Sequence, residues 1–487
     1  MCSVGHRTKS EPLRILLVLT EFPPSIGGMQ AHALYLSRFL ADRGYIVEVV
    51  TYRPSSIEEQ NLAQCFDNDM EFPIHRSLSR LAFWYNIKTL EQVSRQFKPD
   101  LIYCSTIFYG LLRDIVNVPI VCRSAGNDVL RPWIAYPFRL ASHLLATPRL
   151  ENWLYNTFKK MEYPELVDRI LRKKRMKLVK QSAHRMDLII ANSKFTASLL
   201  SELGIEENKI KIVVGGVDTQ RFVPHNRSGE PQLRRALGID NDAYIITTVC
   251  RLVPKKGIDF LLRTFHMLRN LMPDAHLLIV GDGSHSKRYQ RLARDLGLSP
   301  HVTFAGSVNH LKIQRYYWLS DVFVLASRIQ INPITGVRDA ETMGRVLCEA
   351  NAAGVPVLAA RSGGIPSVIE CDQNGLLFEP DNEEDFLKQM QRIRENPELT
   401  HRLVQIGYRM AHQKFDWSLI LKDHENYFTS VLSATKGLPQ PTVGYTLQGL
   451  RDHAGAYVGE TVEIGNAGFH SPGLKSPGGF PPWQSGR

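Results

Sequence analysis

The sequence predicts an α/β protein made of two doubly wound, Rossmann-like domains that face each other across a cleft. Two observations carry that prediction. Short apolar runs alternate with segments of helical periodicity, and the alternation occurs twice, in two separate stretches. The chain has 487 residues, more than a single hydrophobic core fills, so two domains with appendages are expected.

The first series begins with "RILLVLT", a Pro/Gly turn "EFPPSIGG", and "MQAHALYLSRFLADRG", whose helical pattern stops at Gly44. The runs "YIVEVVTY", "DLIYCS", "PIVCRS", "MDLIIANS" and "IKIVVGG" continue it as strands of a parallel sheet covered by helices on both faces. This domain is assigned to residues 13–216. Within it, residues 130–185 hold no good strand and read as a helical, basic insertion. A polar connector leads to "YIITTVCR", "HLLIVGDG", "HVTFAGS", "DVFVLAS", "VPVLAAR" and "GLLFEP", a second doubly wound sheet assigned to residues 217–413. Residues 436–487 are rich in Gly and Pro and are expected to form a flexible tail.

Composition excludes fibrous and wholly disordered classes: 44% of residues are hydrophobic and 22% charged. The formal charge of +11 fits phosphorylated ligands, nucleic acid or an anionic membrane surface, and does not choose among them. The seven cysteines form no CxxC pair, and several sit in apolar runs, as small buried residues of a reducing compartment do. No stretch approaches the ~18 apolar residues of a membrane span, and the N-terminal run is short for a secretory signal. A cytoplasmic chain is expected. The run "RILRKKRMKLVKQSAHR" is either a solvated helix face or a seat for anionic headgroups, with Trp133, Trp153, Tyr155 and Phe158 close by in sequence.

In open α/β sheets ligands sit beyond the carboxyl ends of the strands, so chemistry is expected on the loops there. "RDAETMGRVLCEANAAGVPV" follows the strand "DVFVLAS" and a long loop. Its helix is expected to begin at Gly344, which aims the amides of Met343, Gly344, Arg345 and Val346 at a phosphate. Glu341 and Glu349 flank that seat. If the segment were helical throughout they would stand ~12 Å apart along one side, beyond the ~5 to 9.5 Å of a hydrolase carboxylate pair. That distance suits a ligand with hydroxyls at both ends and a diphosphate between them. Read as a lone pair, the two glutamates are better explained as surface charges, Glu341 on a loop and Glu349 on a helix. "RLVPKKG" puts Arg251 and Lys256 at a strand's carboxyl end, where two cations could neutralise a diphosphate. Gly27 and Gly28 let backbone approach phosphate, or simply make a tight turn. The "GDG" at Gly281 lacks the third glycine of a dinucleotide fingerprint.

The ordered set "EFPPSIGG", "GGVDTQRF", "RLVPKKG", "LLIVGDG", "AETMGRVLCEANAAGVPVLA", "SGGIPSVI" and "NGLLFEP" resembles the retaining glycosyltransferases of the GT-B fold in the large group called family four. "GVRDAETMG" beside "EFPPSIGG" looks closest to a subgroup that includes phosphatidylinositol mannosyltransferases. The resemblance implies a nucleotide-diphosphate sugar donor, UDP- or GDP-hexose, with no cofactor or metal required. Glu341 would lie near the transferred sugar and Glu349 on the ribose. Arg251 and Lys256 would hold the diphosphate, Gly28 and the amides after Met343 would complete its cradle, and Ser307 and Val308 would lie near the base. It also implies a terminal helix, residues 414–435, crossing back to the first domain. One position departs from the family pattern. Where many members carry a histidine in an "HGxD"-like turn, "CRSAGNDV" places Ala125, with Gly126 and Asp128 retained. Asp128 is expected either to contact a sugar or acceptor or to stabilise the turn.

The expected reaction is transfer of a hexose to a hydroxyl of a glycan, lipid or small-molecule acceptor. The alternatives are a nucleotide-sugar epimerase and a non-catalytic nucleotide-binding relative, which the loss of that histidine keeps open. An anionic membrane surface, with the protein peripheral at its cytoplasmic face, is the further expected partner; nucleic acid is not.

Overall fold

A computed structural model describes residues 11–436 apart from 25–26, 133, 159–164, 226–229 and 333–335. The expected tail from residue 437 and Trp133 lie outside the described residues, as does the side chain of Phe158.

The first sheet has seven strands: β1 (Arg14–Val18), β2 (Ile46–Tyr52), β3 (Ile74–Leu78), β4 (Leu101–Cys104), β5 (Ile120–Ser124), β6 (Leu188–Ala191) and β7 (Ile210–Ile212), in the order β3-β2-β1-β4-β5-β6-β7. Every pairing is parallel. The second sheet contains β8 (Tyr244–Val249), β9 (Ala275–Val280), β10 (Val302–Gly306), β11 (Val322–Leu325), β14 (Val357–Ala360) and β15 (Leu376–Phe378), ordered β10-β9-β8-β11-β14-β15 and again parallel. A short antiparallel ribbon, β12 (Gln330–Ile331) with β13 (Arg338–Asp339), stands apart from both.

Side chains alternate faces along a strand, and each sheet feeds two apolar layers accordingly. Leu16 and Val18 enter one layer of the first sheet, Ile15 and Leu17 the other. Leu277 and Ile279 divide from Leu278 and Val280 in the same way in the second. The architecture is the expected pair of doubly wound sheets. Two features were not anticipated. β3, "IHRSL", is an edge strand that buries only Leu78, so it carries almost no apolar signal. The ribbon lies inside what reads as one long loop.

The insertion is helical, with helices Ser142–Leu145, Pro148–Phe158 and Glu165–His184. The longest packs Leu178, Val179 and Ala183 on the first sheet. It comes so close that a Cβ at Gly110 would stand 1.9 Å from the Ser182 carbonyl, which is why that position is glycine. Part of the basic run is used internally: Arg175 Nε donates to the Ile134 carbonyl at 2.6 Å and Arg185 pairs with Asp114.

The last helix, Trp417–Lys436, leaves the second domain and sinks Trp417, Ile420, Leu421, Phe428 and Leu432 into the outer layer of the first sheet. Its docking centres on aromatic and imidazole rings. His32 stacks on Trp417 at 5.6 Å between centroids and stands 4.9 Å from His424. His32 Nε2 is 3.1 Å from the Tyr103 hydroxyl, and His424 donates from Nδ1 to the Ile420 carbonyl at 2.7 Å.

Burial, reinforced by Arg123, lowers the His424 imidazole from 6.5 to about 3. A base whose folded value is depressed binds its proton more readily when unfolded. Its contribution to stability is therefore complete above about pH 6.5 and declines as the pH falls toward 3. Between pH 6.5 and 5 the loss is expected to be about 2 kcal/mol. His424→Leu should flatten that segment of a midpoint-against-pH curve, and an unchanged slope would show that His424 is not the titrating group.

Candidate active site

The carboxyl ends of β8 and β11 and the ribbon converge on one group of charges. After β8 the chain makes a short turn, Pro254–Lys256, ended by Gly257 at φ +65°. A side chain at Gly257 would meet the Ala326 carbonyl at 2.0 Å, so the turn closes onto β11 only with glycine there. The two adjacent lysines diverge. Buried Lys255 donates to Asp339 Oδ1 at 2.9 Å and to the Ala340 carbonyl at 3.0 Å, fixing the ribbon. Lys256 pairs with Glu341, only 14% of whose side chain is exposed. Burial alone would raise the Glu341 carboxyl, but Lys256, Lys255 and Arg251 together hold it below its ordinary value. Arg251 is exposed at the end of β8.

Beyond Glu341, Gly344 caps the helix Arg345–Ala352 in the left-handed region at φ +88°. A Cβ there would press on Leu347 at 2.9 Å. The helix starts one residue later than expected, and Glu341 lies in the loop before it, so the two glutamates do not share a continuous helix. First-turn amides of a helix lack intrahelical acceptors and carry the positive end of its dipole. Glu349 is not a surface charge. It is 4% exposed, accepts from the Tyr317 hydroxyl at 2.7 Å, and faces Arg345 Nε at 3.2 Å. Burial, with the Glu349 charge adding to it, keeps the Tyr317 phenol well above its usual range.

The first domain closes the other side. A Cβ at Gly28 would come within 3.3 Å of the Arg345 guanidinium, and one at Gly126, φ +82°, within 2.7 Å of Thr342. The Lys194 amide donates to Ser367 Oγ at 3.0 Å, and Arg131 reaches Asp339 at 3.2 Å. Gly27 precedes the helix Gly28–Asp42 in extended conformation. Ser307 is exposed and Val308 half-buried just past β10. The glycines of "GDG" serve packing, since a Cβ at Gly281 would stand 2.0 Å from the Cys250 carbonyl and one at Gly283 2.6 Å from that of Leu252.

Residues 229–410 match the family model of glycosyl transferases group 1, and residues 26–221 that of glycosyltransferase family 4. The chain belongs to the family 4 glycosyltransferases. It is 27% identical, over 75% of its length and 85% of the relative, to a GDP-mannose-dependent alpha-(1-6)-phosphatidylinositol monomannoside mannosyltransferase of Mycobacterium tuberculosis. The enzyme of that name from Mycolicibacterium smegmatis is 33% identical over 40% of this chain and 49% of its own. Among solved structures, Anabaena HepE in complex with UDP superposes with a TM-score of 0.64 at 19% identity, covering 86% of this chain and all of that one. Sucrose-phosphate synthase from Thermosynechococcus elongatus gives 0.64 at 19% over 87% of this chain and 100% of its own. Both have the two-domain GT-B fold.

One expected site residue of this glycosyltransferase makes the contacts of the second of its two readings, the turn. Asp128 is buried, and its carboxylate accepts from Ser124 Oγ at 2.7 Å and the Ile107 amide at 3.2 Å. These bonds hold the turn after β5. Other residues were missed. Lys255, Asp339 and Arg131 position the Glu341 loop, and no motif marks them. Glu21, in the first loop, accepts from Gln30 at 2.6 Å; burial raises its carboxyl to about 7 against the pull of Arg80 and Arg251. A single acid directly after β1 in an apolar, proline-rich turn was the available signal.

Lys256→Met would leave Glu341 buried beside weaker compensation, and stability should fall by about 3 kcal/mol. Adding Glu341→Gln should recover much of that loss. Strict additivity of the two changes in urea unfolding would mean that the pair is not coupled.

Proposed function

We propose that this chain is a retaining hexosyltransferase that moves a hexose from UDP- or GDP-hexose to a hydroxyl of a glycan, lipid or small-molecule acceptor. The observation that carries this reading is the Glu341–Lys256 pair beside Arg251, opposite Gly28 and the first turn of the helix Arg345–Ala352. Arg251, Lys256, Gly27, Gly28 and the amides of Met343, Gly344, Arg345 and Val346 would hold the diphosphate. Glu341 would take hydroxyls of the transferred sugar and Glu349 those of the ribose, once Arg345 turns aside. Ser307 and Val308 would border the base, and Gly126 would admit the sugar beside Thr342.

In the reaction, the bond from the anomeric carbon to the diphosphate oxygen breaks and its electron pair leaves with the diphosphate. The acceptor oxygen bonds to that carbon on the same face, and its proton passes to the departing phosphate oxygen. The cations stabilise the charge that develops there. The mannosyltransferase relatives, whose names specify GDP-mannose and a phosphatidylinositol glycolipid, support a lipid-linked acceptor.

Release of UDP or GDP from a panel of nucleotide sugars tests the assignment. Acceptor-dependent release is expected, with Glu341→Ala slowed by about 10²-fold or more. Epimerised sugar, or binding with no turnover, would replace transfer with isomerisation or a non-catalytic role.

We further infer peripheral attachment to anionic lipid. Among the described residues no helix is long and apolar enough to cross a membrane. The insertion, however, exposes Leu140, Leu144, Trp153 and Ile170, and on its longest helix Lys173, Lys174, Lys177 and Lys180. Apolar and basic groups together suit a headgroup layer, where each cation gains ~1 kcal/mol. Co-sedimentation should occur with phosphatidylglycerol-containing vesicles and weaken in high salt. It should be lost in the triple Lys173→Glu, Lys174→Glu, Lys177→Glu variant; equal binding by that variant would rule out this face.

A further inference from the structure

The first sheet reverses its strand order between β1 and β4, the kind of point where open α/β sheets take ligands. Leu19 just past β1, Ser105 just past β4 and Arg123 near the end of β5 line a small cavity there, with Met29, His32, Ala33 and Tyr103. Its lining is apolar or neutral except for Arg123. That arginine is 8% exposed, and among the described residues its Nε has no hydrogen-bond partner and it forms no ion pair. Asp128, the acid close to it, is already engaged by Ser124 and Ile107. His32 is 5% exposed, and its Nδ1 also lacks a partner.

None of the other facing groups supplies a negative charge. Burial keeps His32 and His424 neutral and the Tyr103 phenol protonated, while Arg345 adds a second cation. A guanidinium removed from water costs several kcal/mol unless an anion and hydrogen bonds compensate it. Its planar fork of N–H donors matches carboxylate, phosphate or sulfonate oxygens. Arg123 lies two residues before Ala125, the position where the sequence departs from its family pattern.

We propose that Arg123 anchors a subsite for an anionic group, a carboxylate, phosphate or sulfonate, on the substrate that enters the first-domain crevice. The group belongs either to the transferred sugar or to the acceptor. Only that last distinction rests on the transferase reading.

Inorganic phosphate is the first probe, titrated by calorimetry and by thermal shift into the full chain, Arg123→Met and Arg251→Ala. Arg251 is exposed and on the diphosphate side, so its variant separates the two anion seats. Wild type and Arg251→Ala are expected to bind phosphate, and Arg123→Met to bind about tenfold or more weakly. Without phosphate, Arg123→Met should unfold at or above the wild-type temperature, because an uncompensated buried charge has been removed. A lower midpoint would make Arg123 a structural residue and overturn the proposal. So would phosphate binding by Arg251→Ala that survives the addition of Arg123→Met, or no binding by Arg251→Ala.

The second arm compares UDP-glucuronate with UDP-glucose, and glycerol 3-phosphate with glycerol as acceptors. The pair whose charged member loses its advantage in Arg123→Met identifies the source, and no change in either pair denies the subsite a role in turnover. A chain inert toward all four counts against the transferase reading, while the phosphate titration still decides the subsite.

Discussion

The placement of the cleft chemistry depends on two adjacent lysines reaching two acids that stand two residues apart. Lys255 takes Asp339 and Lys256 takes Glu341. Adjacent residues in a tight 3₁₀ turn point in different directions, whereas residues i and i+2 of an extended chain lie on one side. The match therefore fixes both the height and the rotation of the Glu341 loop against the end of β8. Gly257 makes this possible, because only a glycine leaves room for the turn against the Ala326 carbonyl. Buried ion pairs give little net stability, since desolvation offsets most of the attraction, but a misregistered pair is costly. The network's contribution is position. Arg131 brings the first domain into it through the second oxygen of Asp339.

A second constraint is covalent. The chain ends its second domain with a helix whose apolar face completes a layer of the first, so each domain's packing depends on the other's chain. The stacked rings of Trp417 and His32 sit one turn below the Gly28 loop, coupling helix docking to the loop that faces Arg345. Gly216, at φ +117°, passes under Trp417, where a Cβ would stand 2.4 Å from the indole. The connector and the returning helix therefore cross at a point that tolerates no side chain.

Much of this was legible in the residues. Short, mostly apolar runs bounded by turns marked the strands, which is why all six strands of the second sheet and six of the seven in the first could be read directly. β3 escaped because an edge strand needs few apolar residues, and the ribbon because two-residue strands have no period. The surroundings of Glu349 could not be read either. Its burial depends on Tyr317, 32 residues earlier, and no local pattern encodes a hydroxyl arriving from another helix. Asp128 illustrates the converse: the sequence left it between a sugar contact and a turn stabiliser, and only the structure gives its turn partners, Ser124 and the Ile107 amide.

Glu341, Asp128 and Glu21, carboxyls largely withdrawn from water, differ in the charge their surroundings permit. All pay desolvation, which favours the neutral acid. Glu341 has three cations close by and remains an anion below its ordinary range, able to accept hydroxyl hydrogen bonds at neutral pH. Asp128 has hydrogen-bond donors but, among the described residues, no ion-pair partner, and burial pushes it up despite them. Glu21 has Arg80 and Arg251 near it and still titrates at about 7, so near neutral pH both of its forms are populated. What separates Glu341 from the other two is therefore a lysine ammonium in direct contact, Lys256; among the described residues neither Asp128 nor Glu21 has one. A single lysine-bearing turn thus sets the electrostatic character of the second domain's side of the cleft, and the first domain's side is left to its own hydrogen bonds.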